Sequence, residues 1–278
     1  MNKRCYPNKE VKNRVFFIFL HREFKPVSMN TGGNIFLNRL PAVSKNLIII
    51  NVLFWLATLF MSKIDLTGQL GLHYPLSKDF RLYQLVTYMF MHASIAHIFF
   101  NMFAVYMFGR VIESEWGSKR FLTYYMVTGM GAGIIQILVA FFRIKAIEAN
   151  LDAESIAVVY RDGLDIIKQG KQFTDPLLRQ LNMQINATTV GASGAVFGIL
   201  LAFGMMFPNM PLYIIPFPFP IKAKFVVIGY GAIELVAGVA NFSFDNIAHF
   251  AHLGGMLFGI FMVLYWRKKD RSNGNYFY

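Results

Sequence analysis

Long apolar stretches alternate with short polar connections through most of this chain. Each stretch is near the length of about 20 residues that an α-helix needs to cross the hydrocarbon core of a bilayer. The pattern predicts six membrane-spanning helices, at residues 46–62, 85–109, 121–142, 189–207, 221–240 and 246–266. The predicted fold class is therefore all-α, a polytopic membrane bundle at 46–266 between an arm at 1–45 and a tail at 267–278.

Composition supports the membrane assignment. Hydrophobic residues make up 55% of the 278 residues and charged residues only 15%, whereas soluble domains carry roughly 25% charged residues. So apolar a chain cannot cover itself with a polar surface, which excludes an ordinary soluble globule and a disordered protein. The single cysteine, Cys5, excludes an internal disulfide and argues against a cysteine-based metal site.

The net charge of +12 is distributed unevenly. Most basic residues lie in the arm, in the tail and in the connections after spans two and four, which six spans would place on one side. Because cytoplasmic loops are enriched in Lys and Arg, we expect both termini in the cytoplasm, in a bacterial inner membrane. A mitochondrial presequence remains an alternative for the basic arm. Nucleic-acid binding is not predicted, since no aromatic-basic binding module accompanies the charge.

One connection, at 143–188, is long and polar, with six basic and six acidic residues. The same topology places it on the outer face. Loops of this length rarely lack secondary structure, so some helix is expected within 146–169.

Polar side chains are costly inside spans and are therefore candidates for function. Ser193, near the start of span four, lies between Gly191 and Gly194, and the absence of bulk on either side lets another chain approach its hydroxyl. Free backbone N–H groups at a helix start could also bind an oxyanion. The alternative is that this run of small residues is only a helix-packing surface.

A histidine in span six could meet that serine. His252 lies on one helical face with Gly255 and Gly259, and span four carries its own four-residue pair, Gly194 and Gly198. Two such small-residue surfaces allow close packing of helices, which would bring Ser193 within reach of His252. A serine beside a histidine supplies a nucleophile and its general base, the minimum for acyl transfer.

Span two adds possible hydrogen-bond donors. His97 and Asn101 are four residues apart and share a helical face, where both could stabilise a developing oxyanion. His92, about 140° around the same predicted helix, is expected to support the site instead. The alternative is a polar patch that holds helices together.

Other chemistries fit the sequence less well. No His-Glu-x-x-His zinc-protease motif is present. His249 and His252 could hold a metal, but no third ligand is evident, so neither a metal nor a cofactor is predicted. Glu234 has no obvious partner and is interpreted as a helix-packing or pore-edge residue, and His249 is expected at the wet outer mouth.

The polar residues of the spans resemble those of the rhomboid family of intramembrane serine proteases, over roughly 46–266. The matching elements, in chain order, are His92-x4-His97-x3-Asn101, then Gly191-Ala192-Ser193-Gly194, then Ala251-His252-Leu253-Gly254-Gly255 with Gly259.

The resemblance implies a six-helix fold with the catalytic serine below the membrane surface, in a cavity open to the outside. It implies a Ser193–His252 dyad without a third acidic member, oxyanion donors at His97, Asn101 and the Ser193 backbone, and His92 in support. Substrates would be single-span membrane proteins whose transmembrane helices unwind near small residues.

Two positions depart from the family pattern. Tyr83-Gln84 stands where many members carry Trp-Arg, and Phe197 stands where a tyrosine often stacks on the catalytic histidine. A catalytically inactive relative that binds transmembrane helices for trafficking or quality control is the alternative function. A solute transporter is less favoured, because charged residues near the membrane midplane are scarce.

Overall fold

The computed structural model describes residues 40–61, 63–213, 219–240 and 248–272. Residues 1–39 of the predicted arm, which include Cys5, and the last six residues of the tail lie outside them. The described residues are mostly helical, and the helices are α1 (Ala42–Phe60), α2 (Leu66–Leu70), α3 (Gln84–Thr87), α4 (Ile95–Ala104), α5 (Arg110–Trp116), α6 (Ser118–Glu148), α7 (Ala153–Lys168), α8 (Pro176–Asn186), α9 (Ser193–Met206), α10 (Ala223–Ala240) and α11 (His249–Ser272). A π-helical turn (Val105–Gly109) joins α4 to α5, and β1 (Pro211–Leu212) pairs antiparallel with β2 (Ile221–Lys222).

Five helical segments in the described part of the chain are long and apolar enough to cross a membrane. They are Ala42–Phe60, Ile95–Trp116, Ser118–Glu148, Ala223–Ala240 and His249–Ser272. The chain is thus a multi-pass membrane protein, and five of the six predicted spans correspond to long helices. The remaining apolar helix, α9, has 14 residues, which extend only about 21 Å, less than the hydrocarbon core.

The short length of α9 has a local cause. The predicted span began at 189, but Thr189 forms an antiparallel bridge with Leu72, and Gly191 adopts φ +129°. Neither conformation belongs to a right-handed helix, so α9 begins only at Ser193. Most of its residues are buried, with α6 and α11 as its main neighbours. This helix, which is shorter than the five long helical segments, therefore lies at the centre of the bundle.

The second span also begins later than predicted. Residues 84–94 form α3, a 3₁₀ turn (Tyr88–Phe90) and an extended segment, and α4 starts at Ile95. Ser94 caps this helix, because its Oγ accepts a hydrogen bond from the backbone N–H of His97 at 3.1 Å. The prediction that His92 lies on the helix of span two was therefore wrong: His92 precedes it.

The polar connection between α6 and α9 is a helical hairpin. The helix expected within 146–169 is confirmed by α7, whereas α8 was not predicted. The hairpin packs on the C-terminal end of α6 through a separate apolar cluster. The buried members of this cluster are Tyr74, Ile144, Ile147, Val159, Leu181 and Ile185. Asn182 ties the two helices together by donating from Nδ2 to the carbonyl of Gly163 at 3.0 Å.

At the opposite end of the bundle, a buried carboxylate holds the start of α1. Glu113 accepts hydrogen bonds from the backbone N–H groups of Val43 and Ser44, at 2.9 and 2.7 Å. The hydroxyls of Ser44 and Ser118 also donate to it, at 2.7 and 2.6 Å. The carboxylate therefore satisfies free N–H groups in the first turn of α1 and links this helix to α5 and α6.

Candidate active site

The structure brings Ser193 and His252 together at one end of the bundle. Ser193 is the first residue of α9, and His252 lies in the first turn of α11. Their side chains meet with 2.8 Å between His252 Nε2 and Ser193 Oγ. His252 is buried and Ser193 is partly buried, so the pair is largely shielded yet the hydroxyl is still reachable.

Close approach of α9 and α11 makes this contact possible. A Cβ built on Gly255 would overlap the backbone carbonyl of Gly194, so the two helices touch backbone to backbone next to the pair. A Cβ on Gly259 would meet the hydroxyl of Tyr124 in α6 and, at 3.0 Å, Cδ2 of Leu201 in α9, whereas one on Gly198 would meet Thr128 of α6. Gly259 therefore also lies at the α9–α11 contact, whereas Gly198 faces α6.

An aromatic ring supports the imidazole. The ring of Phe197, one turn after Ser193, stacks on His252 with 4.3 Å between centroids and 8° between planes. Such a stack restricts rotation of the imidazole and leaves its edge nitrogens free to interact in the ring plane.

His97 of the second span lies beside the serine. A Cβ on Gly191 would lie 2.7 Å from Cε1 and Nε2 of His97 and 3.5 Å from Ser193 Oγ, so His97 is packed against the turn before the serine. Asn101 follows one helical turn later and is buried, and its Nδ2 has no hydrogen-bond partner among the described residues. A buried amide N–H without an acceptor is costly and therefore draws attention to what it could bind.

His92 contacts this group from outside the helix. Its ring meets that of His97 edge to face, with 5.0 Å between centroids. It is buried, and neither ring nitrogen has a hydrogen-bond partner among the described residues. Its position beside His97 is compatible with the supporting role expected from the sequence.

Glu234 was misread in the sequence, because it has two partners. Its Oε2 lies 2.6 Å from His249 Nδ1, a hydrogen-bond contact, and 3.0 Å from His252 Nδ1. The second pair is within hydrogen-bond distance, but it lacks the alignment of a hydrogen bond. The spacing from Glu234 to the two histidines carries no periodic signal, because Glu234 lies on α10 and the histidines lie on α11.

The same three residues are those that could surround a metal ion. One ligand atom from each of Glu234, His249 and His252 lies within 4.8 Å of the others. The 2.6 Å contact between Glu234 and His249 is a direct hydrogen bond, however. Ligands of one tetrahedral zinc stand farther apart, at about 3.3 Å for bonds of 2.0–2.1 Å. The contact between Glu234 and His249 is therefore explained by a hydrogen bond between the two side chains.

Tyr83 and Gln84, which stand where many members of the resembling family carry Trp-Arg, lie in the connection between α1 and α4. Gln84 is fully buried, and its Oε1 accepts from the backbone N–H of Arg81 at 3.0 Å. Its Nε2 donates to the carbonyls of Asp79 and Gln69, at 2.9 and 3.1 Å. Gln84 thus holds this connection in shape from inside, a role that the sequence alone did not indicate.

Known proteins resemble this chain over about two thirds of its length. Rhomboid-like protein 11, chloroplastic, of Arabidopsis thaliana is 26% identical over 193 residues, which cover 65% of this chain and 51% of that protein. RHOMBOID-like protein 12, mitochondrial, of the same plant is 28% identical over 181 residues, covering 64% and 44%. Presenilin-associated rhomboid-like protein A, mitochondrial, of Danio rerio is 25% identical over 202 residues, covering 70% and 42%.

The chain spans about half or less of the length of these relatives. The family model described as the rhomboid domain matches residues 79–269, which is more than half of the chain and includes α4, α9 and most of α11. The chain therefore belongs to the rhomboid family.

Proposed function

We propose that this protein is an intramembrane serine endopeptidase that cleaves transmembrane segments of single-span membrane proteins. The observation that carries the proposal is the 2.8 Å contact between Ser193 Oγ and His252 Nε2. A serine hydroxyl is a weak nucleophile until a neighbouring base accepts its proton, and this contact supplies that base. Membership of a family that includes serine proteases supports the same assignment.

Each step of the mechanism has a residue within reach. Ser193 Oγ attacks the scissile carbonyl while His252 Nε2 accepts its proton, and the imidazolium then returns the proton to the leaving amine. Water hydrolyses the resulting ester by the same route in reverse. The ring of Phe197 keeps the imidazole in its plane throughout.

The tetrahedral oxyanion needs donors that are in place before the reaction. The N–H of Ser193 lies at the start of α9, where backbone N–H groups lack intrahelical acceptors. Nδ2 of Asn101 is buried and has no hydrogen-bond partner in the described part of the chain, and the His97 ring packs on the turn just before the serine. We assign all three as oxyanion donors, with His92 positioning His97.

The membrane setting limits the substrate. Together with the shorter α9, the five long helical segments would form a bundle of six membrane helices. The site opens at one end of this bundle, where water is available. A transmembrane helix must unwind there to expose its peptide carbonyl, so small residues in the substrate favour cleavage. The excess of basic residues on the other side supports an inner-membrane protein of bacteria with both termini in the cytoplasm.

A fluorophosphonate probe tests the activated serine. The purified full chain in detergent is incubated with the probe beside Ser193→Ala and His252→Ala, with Ser114→Ala as a matched control. Ser114 is exposed, and its hydroxyl donates only to the carbonyl of Arg110. We expect labelling of the parent chain and of Ser114→Ala, and none of the other two.

Cleavage of a single-span membrane protein in proteoliposomes completes the test. A folded parent chain that neither reacts with the probe nor cleaves such a substrate would refute the proposal. In that case a catalytically inactive, helix-binding member of the family becomes the better description.

A further inference from the structure

A carboxylate stands behind the histidine of the proposed dyad. His252 uses Nε2 toward Ser193, at 2.8 Å, and presents Nδ1 to Glu234 Oε2, at 3.0 Å. Glu234 and His252 are both buried. The serine, the imidazole and the carboxylate therefore follow one another across three helices, α9, α11 and α10.

The position of the proton on the neutral imidazole decides whether His252 can act as a base. A neutral imidazole carries one proton, and Nε2 can accept the serine proton only when that proton is on Nδ1. A carboxylate beside Nδ1 favours this tautomer, because Nδ1–H can donate to it whereas an unprotonated Nδ1 would repel it. Glu234 therefore favours the Nδ1-protonated form of His252, which is the form that can act as a base toward Ser193.

The positive charge that forms on His252 during the reaction is a second reason to assign a role to Glu234. When Ser193 gives up its proton, His252 becomes a cation in a largely buried site. Opposite charges about 3 Å apart attract much more strongly there than in water. Glu234 thus stabilises the imidazolium in the step in which it forms, as the carboxylate does in serine-protease triads.

A second histidine fixes the carboxylate. His249 Nδ1 meets the same Oε2 at 2.6 Å, and His249 is one helical turn from His252 on α11. This contact limits rotation of the Glu234 side chain, so that its oxygen stays near His252 Nδ1. Nδ1 of His252 lies within hydrogen-bond distance of that oxygen, although the two are not aligned as a hydrogen bond in this structure.

We propose that Glu234 is a positioning residue for His252 and is itself held by His249, so that the site works as a serine–histidine–glutamate arrangement. This goes beyond the dyad implied by the family resemblance, and it rests on the proposed function. The competing explanation is that Glu234 only fastens α10 to α11 through hydrogen bonds. A glutamine of the same shape separates the two, because it keeps the hydrogen-bonding capacity and removes the charge.

The test compares Glu234→Gln and Glu234→Asp with the parent chain in proteoliposomes, measuring kcat, KM and the thermal midpoint. For Glu234→Gln we expect kcat to fall about 100-fold with KM within about twofold. This is less than the roughly 10⁴-fold loss typical of a well-aligned triad. Glu234→Asp keeps the charge at a longer distance, so kcat should recover to about a tenth of the parent value.

Two further variants make the result specific. His249→Ala frees the carboxylate and should lower kcat about tenfold. Glu115→Gln removes an exposed carboxylate at the opposite end of the bundle and should leave kcat unchanged.

An unchanged kcat in folded Glu234→Gln would overturn this inference while leaving the proposed protease intact. A loss confined to the thermal midpoint or KM, equal in Glu234→Gln and Glu234→Asp, would also overturn it in favour of helix fastening. A folded parent chain without activity would instead overturn the proposed function and this inference with it.

Discussion

Replacing Gly255 by alanine should separate the serine from its histidine without touching either. The Cβ of the new residue would overlap the backbone carbonyl of Gly194. Backbone on both sides belongs to helices and cannot escape by changing a rotamer. Relief of the overlap therefore requires α9 and α11 to move apart.

The size of the effect follows from this displacement. Restoring an ordinary carbon–oxygen contact needs a shift on the order of 1 Å. Gly194 is adjacent to Ser193, and Gly255 is one turn from His252, so the 2.8 Å contact between Oγ and Nε2 would exceed hydrogen-bond range. A misplacement of about 1 Å can cost about 100-fold in rate, or about 2.7 kcal/mol in the barrier. Overpacking should also lower the free energy of unfolding by about 1–3 kcal/mol.

The assay measures the second-order rate of fluorophosphonate labelling and kcat/KM for cleavage in proteoliposomes, with the thermal midpoint in detergent. Gly229→Ala is the matched control, because a Cβ there meets nothing within 4 Å. It should leave the labelling rate unchanged and stabilise α10 by about 0.5–1 kcal/mol through helix propensity. A Gly255→Ala variant with the labelling rate and midpoint of the parent chain would refute the argument that this backbone contact sets the distance.

Three further variants probe separate parts of the molecule. Asn101→Ala should lower kcat about 100-fold with little change in KM, because it removes a donor used only by the oxyanion; steady-state kinetics on the cleaved substrate measures this. Phe197→Leu should lower kcat/KM about two- to tenfold through loss of the ring stacked on His252, while Phe197→Tyr should retain it. Glu113→Ala should lower the free energy of unfolding by about 2–4 kcal/mol, measured in detergent, because four donors lose their acceptor.

Each of these has an outcome that contradicts it. A parental kcat in Asn101→Ala would remove this residue from the oxyanion site. Equal kcat/KM in Phe197→Leu and Phe197→Tyr would show that the ring contributes nothing to the imidazole. A parental midpoint in Glu113→Ala would mean that water replaces the carboxylate at the start of α1.

Much of this protein could be predicted from local sequence. Apolar length alone located the membrane helices, because lipid cannot satisfy free backbone groups and a spanning segment must be a long apolar helix. Ser193 and His252 stood out because polar side chains are rare in spans and because both lie close to glycines that allow helices to pack tightly. The helix α7 in the hairpin between α6 and α9 also followed, because a long connection needs structure of its own.

The tertiary structure decided the rest. The short α9 depends on the bridge between Thr189 and Leu72, a pairing of residues far apart in the chain. His92 lies outside α4 because Ser94 caps this helix, which begins at Ile95. The hydropathy of the sequence does not indicate at which residue the helix begins. Glu234 appeared partnerless because its partners lie on another helix, and contacts between helices are set by three-dimensional packing. Hydrophobic pattern determines which segments enter the membrane, whereas only the packed bundle determines which polar groups meet inside it.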